Sequence, residues 1–248
     1  MTRKRILSNI AWLFMERVIV TLAVLASNIY VVRSLGVTRF GELSYLLAIL
    51  GLVVVTADFG LRRVLLVSFG RSASGALVSA TLLLKTVVAV LLGAASYVAF
   101  LQSGETGFLA LVLFCVFAPL EVYAFVMQAE LRNDLLAKIR TGLALAGAGG
   151  RAWLCLEGIG SVNILLLTYV AQSVLLSLAA WAWTVSDDKK KWHVSFSNFS
   201  RVWRLSKIVF SKSIYFFFSM LIIQAHYRVD QIMISKIAGS DELGIYSA

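Results

Sequence analysis

Seven apolar stretches separated by short polar gaps set the pattern of the chain. They run from about Ile10 to Val32, Phe40 to Phe59, Ala76 to Leu101, Phe108 to Ala129, Thr141 to Leu156, Val162 to Val185, and Ile208 to Ile237. A helix needs ~20 mostly apolar residues to cross the hydrocarbon of a bilayer. Six stretches reach that length; the fifth is short and carries Arg151. Backbone groups in lipid must be paired within their own segment, so each stretch is expected to be a helix. A transmembrane barrel would instead show ~10-residue alternating strands, and no such alternation occurs. The pattern predicts an all-α polytopic membrane helix bundle.

Composition supports this expectation. Of 248 residues, 60 % are hydrophobic and 15 % charged, with one proline, and the mean hydropathy is +0.86. Soluble domains hold ~45–50 % apolar and ~25 % charged residues. A secreted disulfide scaffold, a disordered tail and an ordinary cytosolic enzyme are excluded on these grounds. The two cysteines, Cys115 and Cys155, lie inside apolar runs and read as small buried residues, with no partner at metal-ligand spacing. The first stretch is broken by Glu16-Arg17 and lacks a small-residue cleavage site, so it reads as a span and not as a signal peptide. No GxxxxGK[ST], HExxH, CxxC or GxSxG pattern occurs, so no enzyme activity, cofactor or metal is expected.

The net charge of +10 would suggest nucleic acid in a soluble chain. Here it reports orientation. Basic residues cluster in alternate gaps: Arg3, Lys4 and Arg5; Arg62, Arg63 and Arg71; Arg132, Lys138 and Arg140; then Lys189, Lys190, Lys191, Arg201, Arg204 and Lys207, with Lys212 just inside the next stretch. The opposite gaps hold only Arg33, Arg39 and Lys236. The positive-inside rule therefore predicts a cytoplasmic N-terminus and a cytoplasmic loop from Ser186 to Lys207. The Lys189–Lys191 run reads as a solvated topology anchor that also suits anionic lipid headgroups. His193 in that loop has no partner pattern.

A local repeat appears at an offset of 203 positions. Gly36 falls on Gly239, Gly41 on Gly244 and Ser44 on Ser247; Arg33 falls on Lys236 and Phe40 on Leu243. The polar pair Ser27-Asn28 falls on Asp230-Gln231. A repeat unit of about 200 residues would hold six spans, and the seventh would open a second unit. Transporters are commonly built from two such repeats with the site between them. The expected organisation is a six-helix lobe over 1–185, a basic loop over 186–207, and over 208–248 the first helix of a second lobe. On that reading the chain is an N-terminal half.

Ionisable residues inside spans cost ~2.5–3.5 kcal/mol or more each and usually face a bundle interior or a watery cavity. Those within spans are Glu16 and Arg17, Lys85, Glu121, Arg151, and His226, Arg228 and Asp230; Asp58 sits near a span end. Arg228 and Asp230, two apart, point about 200° apart on a helix, whereas His226 and Asp230 can share a face. Two readings stay open. One is internal pairing: Lys85 or Arg151 with Glu121, and Arg228 with Asp230. The other is a polar cavity for a charged ligand, an anion being favoured by the slight excess of cations; arginine binds phosphate oxygens bidentately. Pro119 is expected to kink the fourth span. Gly142, Gly147, Gly149 and Gly150 make the fifth span thin, a mark of close helix packing. Phe216-Phe217-Phe218 reads as lipid-facing or core.

Several segments resemble bacterial polysaccharide-biosynthesis membrane proteins, the O-antigen-type flippases. Asn9-Ile10-Ala11-Trp12-Leu13-Phe14 with Arg17 is similar to their opening. Arg33 through Gly41, followed by Ser44-Tyr45, resembles their "LG…FG…SY" segment, and Ala57-Asp58-Phe59-Gly60-Leu61 their second-helix end. Tyr227 through Ile234 and Gly239 through Ala248 resemble their seventh-helix motif. The resemblance covers both ends of the chain; the middle agrees only in helix count. It implies a superfamily shared with lipid II flippases and multidrug exporters, with two six-helix lobes around a central cavity. The implied activity is flipping of undecaprenyl-pyrophosphate-linked oligosaccharide across the bacterial inner membrane by alternating access. Implied partners are that lipid-linked oligosaccharide, membrane lipids and polysaccharide assembly proteins, with no nucleic acid. Arg17 and Arg228 match the positions of cavity arginines; Asp230 lies in the seventh-helix motif, and Lys85, Glu121 and Arg151 join the candidate binding set from burial alone. An exporter of the same superfamily would rely on cavity acids instead. A membrane enzyme would need a sizeable loop or an acidic metal motif, neither of which is present. A non-transporting truncated fragment is the remaining alternative.

Overall fold

The computed structural model describes residues 3–69, 74–130, 133–186 and 199–247, with side chains placed from Phe14 onward. Arg71, Arg132, Lys189, Lys190, Lys191 and His193 lie outside the described residues, as do the side chains of Arg3, Lys4 and Arg5. Every element among them is helical. In chain order these are α1 (Arg3–Asp58), α2 (Leu61–Phe69), α3 (Gly75–Ser103), α4 (Gly107–Phe117), a 3₁₀ turn (Ala118–Leu120), α5 (Glu121–Ala129), α6 (Asn133–Leu156), α7 (Val162–Ser186), α8 (Phe199–Ile237) and α9 (Ser240–Ser247).

The expectation of seven spans is met in part. Among the described residues five stretches are long and apolar enough to cross a membrane: Phe14–Ser68, Gly75–Ser103, Gly107–Ala129, Val162–Ser186 and Phe199–Ile237. The first and second expected spans are run together in the first of these. Its 55 residues would make a straight helix of about 80 Å, more than twice the ~30 Å hydrocarbon thickness. It is broken at Gly36, whose φ of 74° and ψ of 171° are non-helical, leaving two legs of one-pass length. The expected fifth span is a helix, α6, but is absent from the five apolar stretches. Arg151 and its polar N-terminal turns lower its apolarity.

One further boundary moved, and one break fell where expected. α8 starts at Phe199, inside the stretch expected to be loop. Val202, Ser206, Val209 and Ser213 are all buried, and their 4-3-4 spacing is one helical face. The window that suggested a loop saw the charges on the other faces. Pro119 does interrupt the fourth span, as the 3₁₀ turn between α4 and α5; its missing N–H cannot serve an α-helical ladder.

Three apolar clusters hold the bundle, the smallest joining α5, α6 and α7 through Met127, Leu136 and Ala180. Of the larger two, one joins α1, α3, α4, α6 and α7 through residues such as Leu43, Leu111, Leu165 and Val170. The other joins α2, α3, α5 and α8 through Leu61, Leu65, Phe125 and Val209. At the turn between α1 and α2, Gly60 has φ 68°. A Cβ there would lie 2.7 Å from the Ser213 carbonyl oxygen on α8, so glycine is required by both conformation and space. Phe59 stacks on Phe217 at 4.7 Å, which places that phenylalanine in a contact, while Phe218 is exposed. Close packing in α6 is confined to Gly147, where a Cβ would lie 2.7 Å from Gln172 Oε1; Gly142, Gly149 and Gly150 have no atom within 4 Å.

The 203-residue repeat has a structural counterpart. Gly36 and Gly239 both hold positive φ, 74° and 93°, each at a break between two helical segments. A Cβ on Gly41 would run into the Ser240 carbonyl oxygen, and one on Gly244 into the Val37 carbonyl oxygen. Val37 and Ser240 are themselves 203 apart. The contact between α1 and α9 therefore maps onto itself when the two copies are exchanged. Phe40 and Leu243, also equivalent, are both buried beside it.

Candidate functional site

The first group of intramembrane charges is a buried cluster at the junction of α1, α2, α3 and α5. Lys85, without solvent exposure, donates from Nζ to Glu121 Oε2 at 2.6 Å. Its ammonium also stands 4.4 Å from the Phe125 ring centroid. The Asp58 carboxylate lies in the electrostatic reach of Lys85, Glu121 and Arg62, with Oδ1 buried and lacking a hydrogen-bond partner. Arg62 Nε donates to Gln128 Oε1 at 2.9 Å. Of the two pairings open for Glu121, the structure makes the one with Lys85. It is the one salt bridge among the described residues.

The second group lines a cavity of about 330 Å³ between the first leg of α1, α6 and α7. Glu16 and Arg17 face it from α1, Arg140 from α6, and Gln172 and Ser173 from α7. Two guanidinium groups oppose one carboxylate there. A smaller cavity of about 70 Å³ reaches Glu121 and shares Ser173 and Leu176 with the first. The Lys85–Glu121 pair is therefore the next polar feature beyond the Arg17 cavity.

Arg151 sits behind the wall of that cavity. It is fully buried, and its Nε and Nη1 have no hydrogen-bond partner. Its guanidinium lies 4.0 Å from the Tyr169 ring centroid, a contact worth about 2 kcal/mol when desolvated. Tyr169 in turn donates its hydroxyl to Asn28 Oδ1 at 3.3 Å. Gln172, which lines the cavity, and Arg151 flank the same glycine: a Cβ on Gly147 would be 2.7 Å from one and 3.3 Å from the other. Gln172 of the cavity lining and the buried Arg151 thus lie close together at Gly147.

The α8 charges stand apart. Arg228 Nη1 donates to Gln231 Oε1 at 2.9 Å, and its Nε would be 3.4 Å from a Cβ on Gly51. It does not pair with Asp230, which is exposed; positions two apart on a continuous helix face away from each other. Arg228 is not among the residues lining the Arg17 cavity. The structure brings Lys85 and Glu121 together, places Arg17 in a cavity whose lining does not include Arg151, and leaves Arg228 and Asp230 on α8 outside it.

Two participants escaped the sequence reading. Arg140 looked like a topology charge because it precedes the fifth apolar stretch by one residue. Gln172 is a neutral residue in an apolar run and carries no pattern of its own.

A membrane bundle with paired internal charges and an arginine-lined cavity describes a transporter-like class of protein. The family comparison makes this specific. Residues 6–248 match the family model for polysaccharide biosynthesis proteins, and the chain belongs to that family. No curated protein and no solved structure matches it.

Proposed function

We propose that the chain is the N-terminal part of a flippase for polyprenyl-pyrophosphate-linked oligosaccharide. In this reading 1–185 forms one lobe, 186–207 a basic cytoplasmic loop, and 208–248 the start of a second lobe. The observation that carries the reading is the Arg17 cavity, in which Arg17 and Arg140 oppose Glu16 alone. A pyrophosphate brings negative charge that is costly to move through a low-dielectric layer. Two guanidinium forks lower that cost by binding its oxygens bidentately. The volume of about 330 Å³ is at the small end of ligand pockets, ~300–1,000 Å³. It suits the pyrophosphate headgroup, with the polyprenyl tail remaining in lipid and the sugars requiring space beyond this cavity.

Arg228, on the helix that opens the second unit, would meet the pyrophosphate from the other side when the lobes rock. Asp230 and Glu121 would set the balance of charge around it, and Arg151 would add positive field through Gln172. The test is surface polysaccharide in cells whose only copy of the full-length protein carries Arg17→Ala or Arg228→Ala. Each variant is expected to abolish it at unchanged membrane abundance; normal polysaccharide in both would overturn the reading. Detecting the native protein through its N-terminus measures the organisation: a product well above 27.2 kDa is expected.

A further inference from the structure

A second cavity, of about 500 Å³, opens between α2, the start of α3 and α8. It shares no lining residue with the Arg17 cavity. One wall is a single stripe of α8: Arg201, Leu205, Ile208, Lys212 and Tyr215 all line it, and their 4-3-4-3 spacing is one helical face. Val64 and Val67 of α2 and Leu77 of α3 form the apolar wall opposite. Among the described residues its charged lining residues are Arg201 and Lys212, and no carboxylate faces it. Among the described residues neither cation makes an ion pair. A third cation, Arg63, stands 5.9 Å over the ring of Phe216, which also lines the groove.

The depth of these cations follows from the helix length. α8 has 39 residues, about 58 Å at ~1.5 Å per residue, against ~30 Å of hydrocarbon. Some 20 residues counted back from Ile237 fill the hydrocarbon. Lys212 then falls about 9 Å beyond that boundary, at headgroup level, and Arg201 about 16 Å further out, past the headgroups. Lys212 is thus the cation at headgroup level, with Tyr215 and Phe216 of the same wall on its hydrocarbon side.

We propose that this groove is a binding site for an anionic phospholipid. Lys212 takes the headgroup phosphate, Arg201 and Arg63 add to the field around it, and an acyl chain lies along the apolar wall. Basic pockets between membrane helices commonly hold anionic headgroups. The separation from the Arg17 cavity makes this a resident lipid and not cargo, so the site stands whatever the protein transports.

The test is native mass spectrometry of the full-length protein released from bilayers of phosphatidylglycerol and phosphatidylcholine in equal amounts. Wild type is expected to retain phosphatidylglycerol over phosphatidylcholine. Lys212→Glu should lower retained phosphatidylglycerol about tenfold. Lys207→Glu makes the same charge change on another face of α8, beside Trp203, and should leave it within about twofold. The milder Lys212→Gln, which keeps the stem of the side chain, should lower it at least threefold and serves if the charge reversal unfolds the protein. Equal losses in Lys207→Glu and Lys212→Glu would mean a general field and no site. Equal retention of both lipids by wild type would mean apolar fit alone; either result overturns the proposal.

Discussion

Removing the charge of Glu121 isolates the largest electrostatic commitment in the bundle. At 2.6 Å and an effective dielectric of about 20, the Lys85–Glu121 attraction is about 6 kcal/mol. Taking Lys85 wholly out of water offsets several kcal/mol of that. Glu121 is 31 % exposed and keeps part of its hydration, so most of the offset falls on the lysine. Glu121→Gln preserves shape and one acceptor but leaves a buried ammonium with only Asp58 near it. The expected loss is about 3 kcal/mol, the lower end for breaking a buried pair. For a chain of this size that is a fall of about 6–12 °C in Tm. Lys85→Met should cost less, because the freed Glu121 can rehydrate. The double variant should recover most of the loss, giving a coupling energy of at least about 2 kcal/mol. The assay is thermal unfolding of the four proteins in one detergent. A Glu121→Gln shift under about 1 °C, or strictly additive single effects, would refute the argument that this pair is coupled and desolvated.

Arg151 predicts the opposite sign. A buried cation with no acid is an electrostatic burden, so Arg151→Met should hold or raise Tm, while Arg151→Lys, which loses the planar stack on Tyr169, should lower it by about 2–5 °C; thermal unfolding of both variants checks this. The glycine contact predicts non-additivity: Gly41→Ala and Gly244→Ala should each cost about 1–3 kcal/mol by overpacking. The double should cost clearly less than their sum, because separating α1 from α9 once relieves both collisions. Unfolding midpoints of the three variants measure it, and simple addition would contradict a shared contact.

Much of this was legible in the sequence, for identifiable reasons. Lys85 and Glu121 stand out because a charge inside an apolar run must find a partner, and few acids are available. Gly36 and Gly239 stand out because the repeat places them at the same offset as Gly41 and Gly244, and both turn out to hold positive φ. Pro119 marks its break because a missing N–H acts locally. The failures are equally physical. The weak fifth stretch was given the rank of a span, but α6 is not among the long apolar stretches because Arg151 and its polar first turns dilute it. The start of α8 was hidden because its buried face is a stripe of Val202, Ser206, Val209 and Ser213 among lysines and arginines. Arg140 was misread because a cation at a span end serves topology and a cavity with the same residue type. Gln172 becomes visible only when α6 and α7 are brought together at Gly147.

The cavity lies near the start of the first leg of α1, and the glycine contact lies just past that leg's far end, beyond the break at Gly36. From Arg17 to Val37 is twenty residues, about 30 Å along a helix and equal to the hydrocarbon thickness. The leg therefore carries its cationic cavity toward one membrane face and its backbone-to-backbone contact toward the other. The two ends are held by different physics. Around the cavity, charges and amides interact at a distance and tolerate small displacements. At Gly41 and Gly244 the contact is steric: backbones meet where no side chain fits, and small-residue contacts of this kind hold membrane helices by close van der Waals packing. Such packing is lost within a fraction of an ångström of separation. It needs no charge to be stripped from a partner when it opens.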